Sequence, residues 1–526
     1  MKKSILACIF TAFFCTLAIS QNLKKDIELK FGPAFKINKK TNLLDIIPLD
    51  NGEFITIEVY GRSGNGDFEF IHFNTNMQEL NRGRIELKVD DEMHRYEQLI
   101  YENGDLYLFT SLGNSKEDYS RLYFQKIDLK TLSTNKIITQ VDEAYSKKGY
   151  SPFSLTFSPD KSKMLVYKVN SGDRKEKISY GVKVLDVTSN FTELWKQDLE
   201  SDYSDELEDI EKIRVSNEGD IYLLSIQYKE KRRAKKDGEA NYIYMLKEYS
   251  KDGDRVNQFP ISLQGEFITD MTIGLNGNNE IVCTGFYSTI GTYGIKGCYY
   301  MLLDAKTKTI KKESKKEFSF DFLTANLSER KTKKAEKRKE KGKDIELANY
   351  ILGDIVLRED GGVIQVAECY YITSTSYTDG NGMRHTSYQH HFDDLIVISI
   401  SPSGDIDWTR KIRKSQTAPD SYNKYASYHL KVNGDKMYFF HNGNAENLLL
   451  GEKEAVKGWT LGKKGCGIIT EITSEGYMRN DIFIDVAGYG LITYIRNSTN
   501  FDNNEVMFFG TYKKTNKYFK VILPGD

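Results

Sequence analysis

Eight times along the chain, a turn of Gly, Asn, Asp or Ser leads into a short strand that is apolar on both faces. The units are DNGEFITIEVY, ENGDLYLFTSL, SPDKSKMLVYKV, NEGDIYLLSIQY, NGNNEIVCTGFY, EDGGVIQVAECYY, NGDKMYFFHNG and DNNEVMFFGTY. They recur at intervals of roughly 50 to 85 residues, the range of a repeat array with variable loops. Another strand precedes each one, as in LLDIIPL and FITDMTIGL, and a third follows, as in FEFIHF, YIYMLKEY and LIVISISP. Most units close with a more polar strand such as DIDWTRKI. The pattern is four antiparallel strands per unit.

A half-exposed strand alternates apolar with polar residues, whereas IYLLSI and VMFFGTY do not, so their sheets must be covered on both faces. Radial stacking of four-stranded sheets does this and leaves only the outermost strand amphipathic. The predicted fold is therefore all-β, an eight-bladed β-propeller, with seven blades as the alternative if one weak unit is misread. The eighth unit has only three strands, and FGPAFKIN near the start is the segment expected to supply its fourth. One domain over 21–526 follows, with a helical insert at 323–349.

LTFSPDKSKMLVYKV resembles the SPDG strand-turn-strand of TolB-type propellers. Only this unit carries the resemblance. Trp-Asp repeats, Asp-boxes and quinoprotein-type Gly-and-Trp signatures do not recur, so no activity is transferred from those families.

Residues 1–20, MKKSILACIFTAFFCTLAIS, place two lysines before an apolar run that ends in small residues, the pattern of a signal peptide. This predicts export, to the periplasm or outer envelope, without a transmembrane span. Basic and acidic residues nearly balance, 74 against 75, which argues against a dedicated nucleic-acid binder. Beyond the leader, the four cysteines Cys283, Cys298, Cys369 and Cys466 have no CxxC spacing. Export permits a Cys283–Cys298 disulfide, and buried thiols are the competing reading.

Counting seven residues back from the turn glycine finds Asp45, Glu97, Asp270 and Asp354, with Lys212 and Ser427 at the same step in two other units. In a propeller this position lies on the innermost strand, so these side chains are expected to ring one end of the channel. Converging carboxylates repel unless a cation or protein donors offset them. The four acids are thus candidate ligand-binding residues for a cation or a cationic ligand. The competing reading is that backbone N–H groups of neighbouring blades bind them and lock blade to blade.

A second cluster, TSTSYTDGNGMRHTSYQHHFDD, reads as a long loop in the sixth unit. His385, His390, His391 and Asp393, with Asp394 beside them, are candidate ligands for a divalent metal ion, the only cofactor expected. Tyr377 and Tyr388 are candidate ligand contacts. The spacing matches no metal motif, and a polar loop without a ligand is the plainer alternative.

Between the fifth and sixth units lies FLTANLSERKTKKAEKRKEKGKDIELANY. Good helix formers run through it, and from Ser328 to Lys343 Ala335 is the only apolar residue among the charges. It is expected to project into solvent, with contact to anionic headgroups or an acidic partner as its functional reading. No GxSxG, P-loop or HExxH is present. The preferred function is a non-catalytic binding or assembly module recognising an envelope protein or glycan. The alternative is an envelope polysaccharide hydrolase or lyase using the channel carboxylates.

Overall fold

A computed structural model describes residues 23–525, apart from 37–40, 61–67, 86, 90–91, 115, 117, 135–136, 146–152, 171–176, 252–254, 264, 292, 305–306, 308, 452–453, 460–464, 502–503 and 514. The expected leader lies outside the described residues. Among them the chain forms eight antiparallel sheets of four or more strands, in sequence order, with two additional two-stranded ribbons. The first strands of the eight sheets begin at Thr41, Arg95, Phe153, Glu208, Phe267, Tyr350, His429 and Ile492.

Two-sided burial has a simple geometric cause. Successive side chains of a strand point to opposite faces, and each face meets a different sheet. In the second strand of the eighth sheet, Val506 and Phe508 pack with Tyr438 and Phe440 of the seventh. Met507 and Phe509 pack with Ile46 and Phe54 of the first. The fourth sheet behaves alike: Leu223 joins Tyr180 of the third sheet, and Leu224 joins Ile273 of the fifth. The remaining cores lie between sheets one and two, two and three, five and six, and six and seven. The array is propeller-like, each sheet covered by its neighbours.

Strand Glu28–Phe31 pairs antiparallel with the last strand of the eighth sheet, Glu28 opposite Ile522 and Phe31 opposite Phe519. The paired segment lies mostly before FGPAFKIN: Gly32 still donates to the Tyr518 carbonyl at 2.9 Å, and Pro33, with no N–H to donate, ends the ladder. Only an isolated bridge from Phe35 to Asn516 follows.

The charged segment after the fifth sheet forms a short helix, α1 (Phe320–Thr324), and a longer one, α2 (Glu329–Glu340). Contrary to the expectation of a free arm, α2 rests on the body of the protein. Ala335 is buried, and the Lys339 ammonium lies 4.6 Å from the centre of the Phe320 ring. A single small residue suffices because the long basic side chains lay their aliphatic stems along the surface.

Cys283 and Cys298 are both free thiols. They lie on opposite faces of the fifth sheet, Cys283 toward the fourth and Cys298 toward the sixth. Burial pushes the Cys298 thiol up to about 12. Among the described residues no helix is long and apolar enough to cross a membrane.

Candidate functional site

The turn glycines do what their sequence position requires. Gly52, Gly104, Gly219, Gly361 and Gly434 all have positive φ, from 54° to 96°, where a Cβ is unfavourable. The fifth unit differs. Its left-handed residue is Asn279, at φ 57°, not Gly277, so Asp270 sits two residues further from the turn than its counterparts.

The seven-residue step marks a backbone irregularity. The first strands of sheets one, two, four and five carry a β-bulge, between Leu43 and Asp45, Tyr96 and Gln98, Ile210 and Lys212, and Ile268 and Asp270. In the sixth sheet the first strand breaks between Leu352 and Val356, around Asp354. A bulge re-aims the side chain beside it. Of the re-aimed side chains, Lys212 and Asp270 reach another sheet, and Asp45 and Glu97 stay within their own.

Asp354 of the sixth sheet reaches the fourth. Its Oδ1 accepts from the Arg214 guanidinium at 2.6 Å and the Lys212 ammonium at 3.3 Å. Burial pushes its carboxyl up, but the two cations outweigh that and hold it below the usual carboxylate range. Asp270 of the fifth sheet stands in the same neighbourhood. Burial first, and the nearby Glu211 carboxylate second, raise its pKa to about 7, against the N–H groups of Met271 and Leu352 and the charge of Lys212. Leu352 belongs to the sixth sheet, so this carboxyl bridges two sheets. Burial and Asp209 raise Glu211 as well.

The other positions are engaged elsewhere. Asp45 accepts the Ile46 N–H at 2.8 Å, and burial raises its carboxyl. Glu97 accepts the Ser111 hydroxyl at 2.5 Å within its own sheet. Ser427 donates to Glu368 at 2.7 Å, and Lys414 donates to the other oxygen of that carboxylate at 2.6 Å. The structure therefore gathers Asp270 and Asp354 but not Asp45 or Glu97. Glu211, Arg214, Glu368 and Lys414 were not anticipated. Arg214 was legible in principle, since it lies two residues beyond Lys212 and so on the same face of the strand.

The expected loop of the sixth unit is instead a long hairpin. Strands Val363–Thr378 and Arg384–Ile400 shift register once, between Glu368 and Tyr370, and stay paired to Thr378 and Arg384. TSTSYT is a run of β-branched, hydroxyl and aromatic residues, which pair as a ribbon without a core beneath them. Cross-strand partners Tyr371 and His391 stack with ring centres 4.4 Å apart, and Tyr377 and His385 at 5.1 Å. His385 bonds the Asp379 carboxylate at 2.8 Å, His390 the Tyr370 hydroxyl at 2.8 Å, and His391 the hydroxyls of Thr373 and Thr417. Asp393 accepts from Tyr371 at 3.3 Å. The pleat puts His390 on the face opposite His385, His391 and Asp393. Among the described residues no group of three or more His, Cys, Asp or Glu is placed to hold a metal ion.

Beyond the pair Ile372 and His390 the hairpin leaves the sheet. Ile372, Tyr377, Met383 and Tyr388 are exposed. Among the described residues no third strand pairs with 372–378 or 384–389. A cleft of about 780 Å³ lies elsewhere, where Arg358, Asp360, Asp435, Lys436 and Tyr438 meet at the turns of the sixth and seventh sheets. None of the gathered acids lines it.

No family model and no curated protein sequence matches the chain. Among solved structures it is similar to prolyl oligopeptidase B from Galerina marginata, at 9% identity over 90% of this chain and 56% of that one, with a TM-score of 0.38. A DUF4221 family member from Bacteroides vulgatus matches at 10% identity over 87% of this chain and 99% of that one, with a TM-score of 0.30. The WD40 domain of SCAP from fission yeast matches at 10% identity over 82% and 95%, with a TM-score of 0.25. The chain spans little more than half the length of the peptidases it matches. At these scores none of the likenesses bears on the site.

Proposed function

We propose that the chain is an eight-bladed β-propeller that works as a non-catalytic binding module of the cell envelope. In this reading it takes a protein partner on the projecting hairpin of the sixth blade. The leader-like residues 1–20 support export. The ring of shared cores, with Glu28–Phe31 in the eighth sheet, supports eight blades.

The observation that carries the binding role is the hairpin itself. A ribbon with two unpaired edges and exposed Ile372, Tyr377 and Tyr388 invites strand pairing, which soluble proteins ordinarily suppress. Retained in an ordered form, it suits addition of an extended segment from a partner, with side-chain pockets supplied by the tyrosines. The test is affinity capture from envelope extract, comparing the full chain with Tyr377→Ala/Tyr388→Ala and with Ser376→Pro, which blocks one edge. Selective loss of the same partner from both variants, with unchanged urea midpoints, is the expected result. Equal capture by all three would end the proposal.

A second reading, hydrolysis of envelope polysaccharide, is favoured by one observation: Asp270, at about 7 beside Glu211, has the protonation behaviour of a general acid. Against it, Asp354 is already bound by Arg214 and Lys212. Release of reducing ends from envelope glycan, abolished by Asp270→Asn, would establish it in place of the first.

A further inference from the structure

The loops joining the second and third strands of the fourth and fifth sheets, and the connection carrying α2, emerge at one edge of the protein. Glu317, the last residue before that connection, pairs with Gly297, the first residue after the fifth-sheet loop. The return segment is fastened to the same loop by reciprocal hydrogen bonds between Ile295 and Leu347 at 2.9 Å. The fourth-sheet loop touches it from the other side, where Lys235 donates to the Ile290 carbonyl at 3.3 Å. Three segments distant in sequence thus form one continuous surface.

Its composition is one-sided. From Lys229 to Lys236 six of eight residues are basic and one is acidic, and from Glu329 to Lys343 nine of fifteen are basic and three acidic. The whole chain carries a net charge of only −1, so these two segments hold a local excess of cations. Ion pairs engage part of the loop, where Arg232 meets Asp209 at 2.6 Å and Arg233 and Lys236 share Glu230; along α2 Lys333 bonds Glu329 at 2.7 Å, while Arg330, Lys331, Lys334 and Lys337 form no ion pair among the described residues. Between the two basic segments stand Ile290 and Tyr293, 39% and 61% exposed. They line a groove of about 550 Å³ with Lys331, Lys334 and Arg338, which outnumber its two acids, Asp344 and Glu346.

We propose that this edge docks on the surface of an anionic phospholipid bilayer. Exposed cations attract such a surface, each worth about 1 kcal/mol near it. An exposed aromatic and an aliphatic side chain set among them can enter the headgroup layer, which a soluble polyanion does not reward. The lipid contact uses the loops of the fourth and fifth sheets and α2, and none of its residues belongs to the sixth-sheet hairpin, so this inference does not rest on the proposed binding role.

The test is co-sedimentation of the full chain with vesicles of phosphatidylcholine alone and with about 30% phosphatidylglycerol, at low and at ~0.5 M salt. Binding at least tenfold tighter to the anionic vesicles, weakened by salt, is expected. Lys331→Gln, Lys334→Gln and Lys337→Gln should each weaken it by roughly fivefold. Lys231→Gln with Lys236→Gln, in the separate loop, should weaken it as well and guards against a folding effect in the helix variants. Tyr293→Ser should weaken it at both salt concentrations. Equal binding to both vesicle types overturns the proposal. So does anionic binding indifferent to the lysine changes, or a preference for polyphosphate or duplex DNA that survives Tyr293→Ser.

Discussion

Arg214 and Asp354 are 140 positions apart in sequence and meet at 2.6 Å, joining the fourth sheet to the sixth past the fifth. The Asp354 side chain is nevertheless 73% exposed, so solvent screens the pair. A double-mutant cycle with Arg214→Ala and Asp354→Ala should return a coupling of about 0.5 kcal/mol, shrinking with added salt. Because the Asp354 carboxyl sits below its ordinary range, this contribution is present at neutral pH and is lost as pH falls into the carboxylate range. A salt-insensitive coupling several times larger would show that the pair is dry.

Asp270 behaves in the opposite sense. Its folded pKa of about 7 exceeds that of an unfolded aspartate, so its protonation favours the fold at low pH and that contribution disappears as pH rises through 7. Asp270→Asn should therefore raise stability at pH 8 by on the order of 2 kcal/mol and change little at pH 4. Urea midpoints at the two pH values check this. An equal effect at both would place the ionisation elsewhere.

Glu58 and Glu69 stand directly opposite one another on adjacent strands of the first sheet, and both are buried. Burial first and Glu69 second push the Glu58 carboxyl up to about 7. Arg82, 2.6 Å from Glu69, is the cation that makes the arrangement tolerable, since like charges facing across a ladder otherwise repel. Arg82→Ala should cost about 2 kcal/mol at pH 8 and less at pH 5, where Glu58 holds its proton. Thermal melts of the two proteins at both values give the comparison.

Gly285 leaves no room for a side chain. A Cβ there would lie 2.0 Å from the Asp270 carbonyl oxygen and 2.9 Å from the Tyr299 hydroxyl. Gly285→Ala must therefore push the bulged strand away from its partner, at about 3 kcal/mol. It should also disturb the Asp270 titration, visible as a shifted carboxyl signal by NMR. An alanine variant as stable as the parent would mean that the strand can move freely.

The two-sided strands were legible because their cause is local: Phe508 and Phe509 announce two covered faces without any knowledge of what covers them. The step from Gly52 to Asp45 likewise identified the first strand, but not the bulge on it. A bulge is an offset between two strands, and one sequence segment does not contain it. The meeting of Asp354 with Arg214 was hidden for the same reason, since nothing near either residue encodes a partner two sheets away. TSTSYT lacks apolar alternation and so predicts a loop, whereas its pairing needs only β-branched and aromatic neighbours across a ribbon. In α2 a lone Ala335 is too weak a stripe to reveal that this residue is buried.

Among the described residues, strand 28–31 pairs with residues 519–522. Synthesis or export that delivers the polypeptide in order must hold an unmatched edge open while all the intervening sheets are made, and only then can the circle be sealed. Such delayed closure exposes strand edges to other molecules for as long as emergence lasts, which makes the interval before completion the period of greatest risk for misassembly.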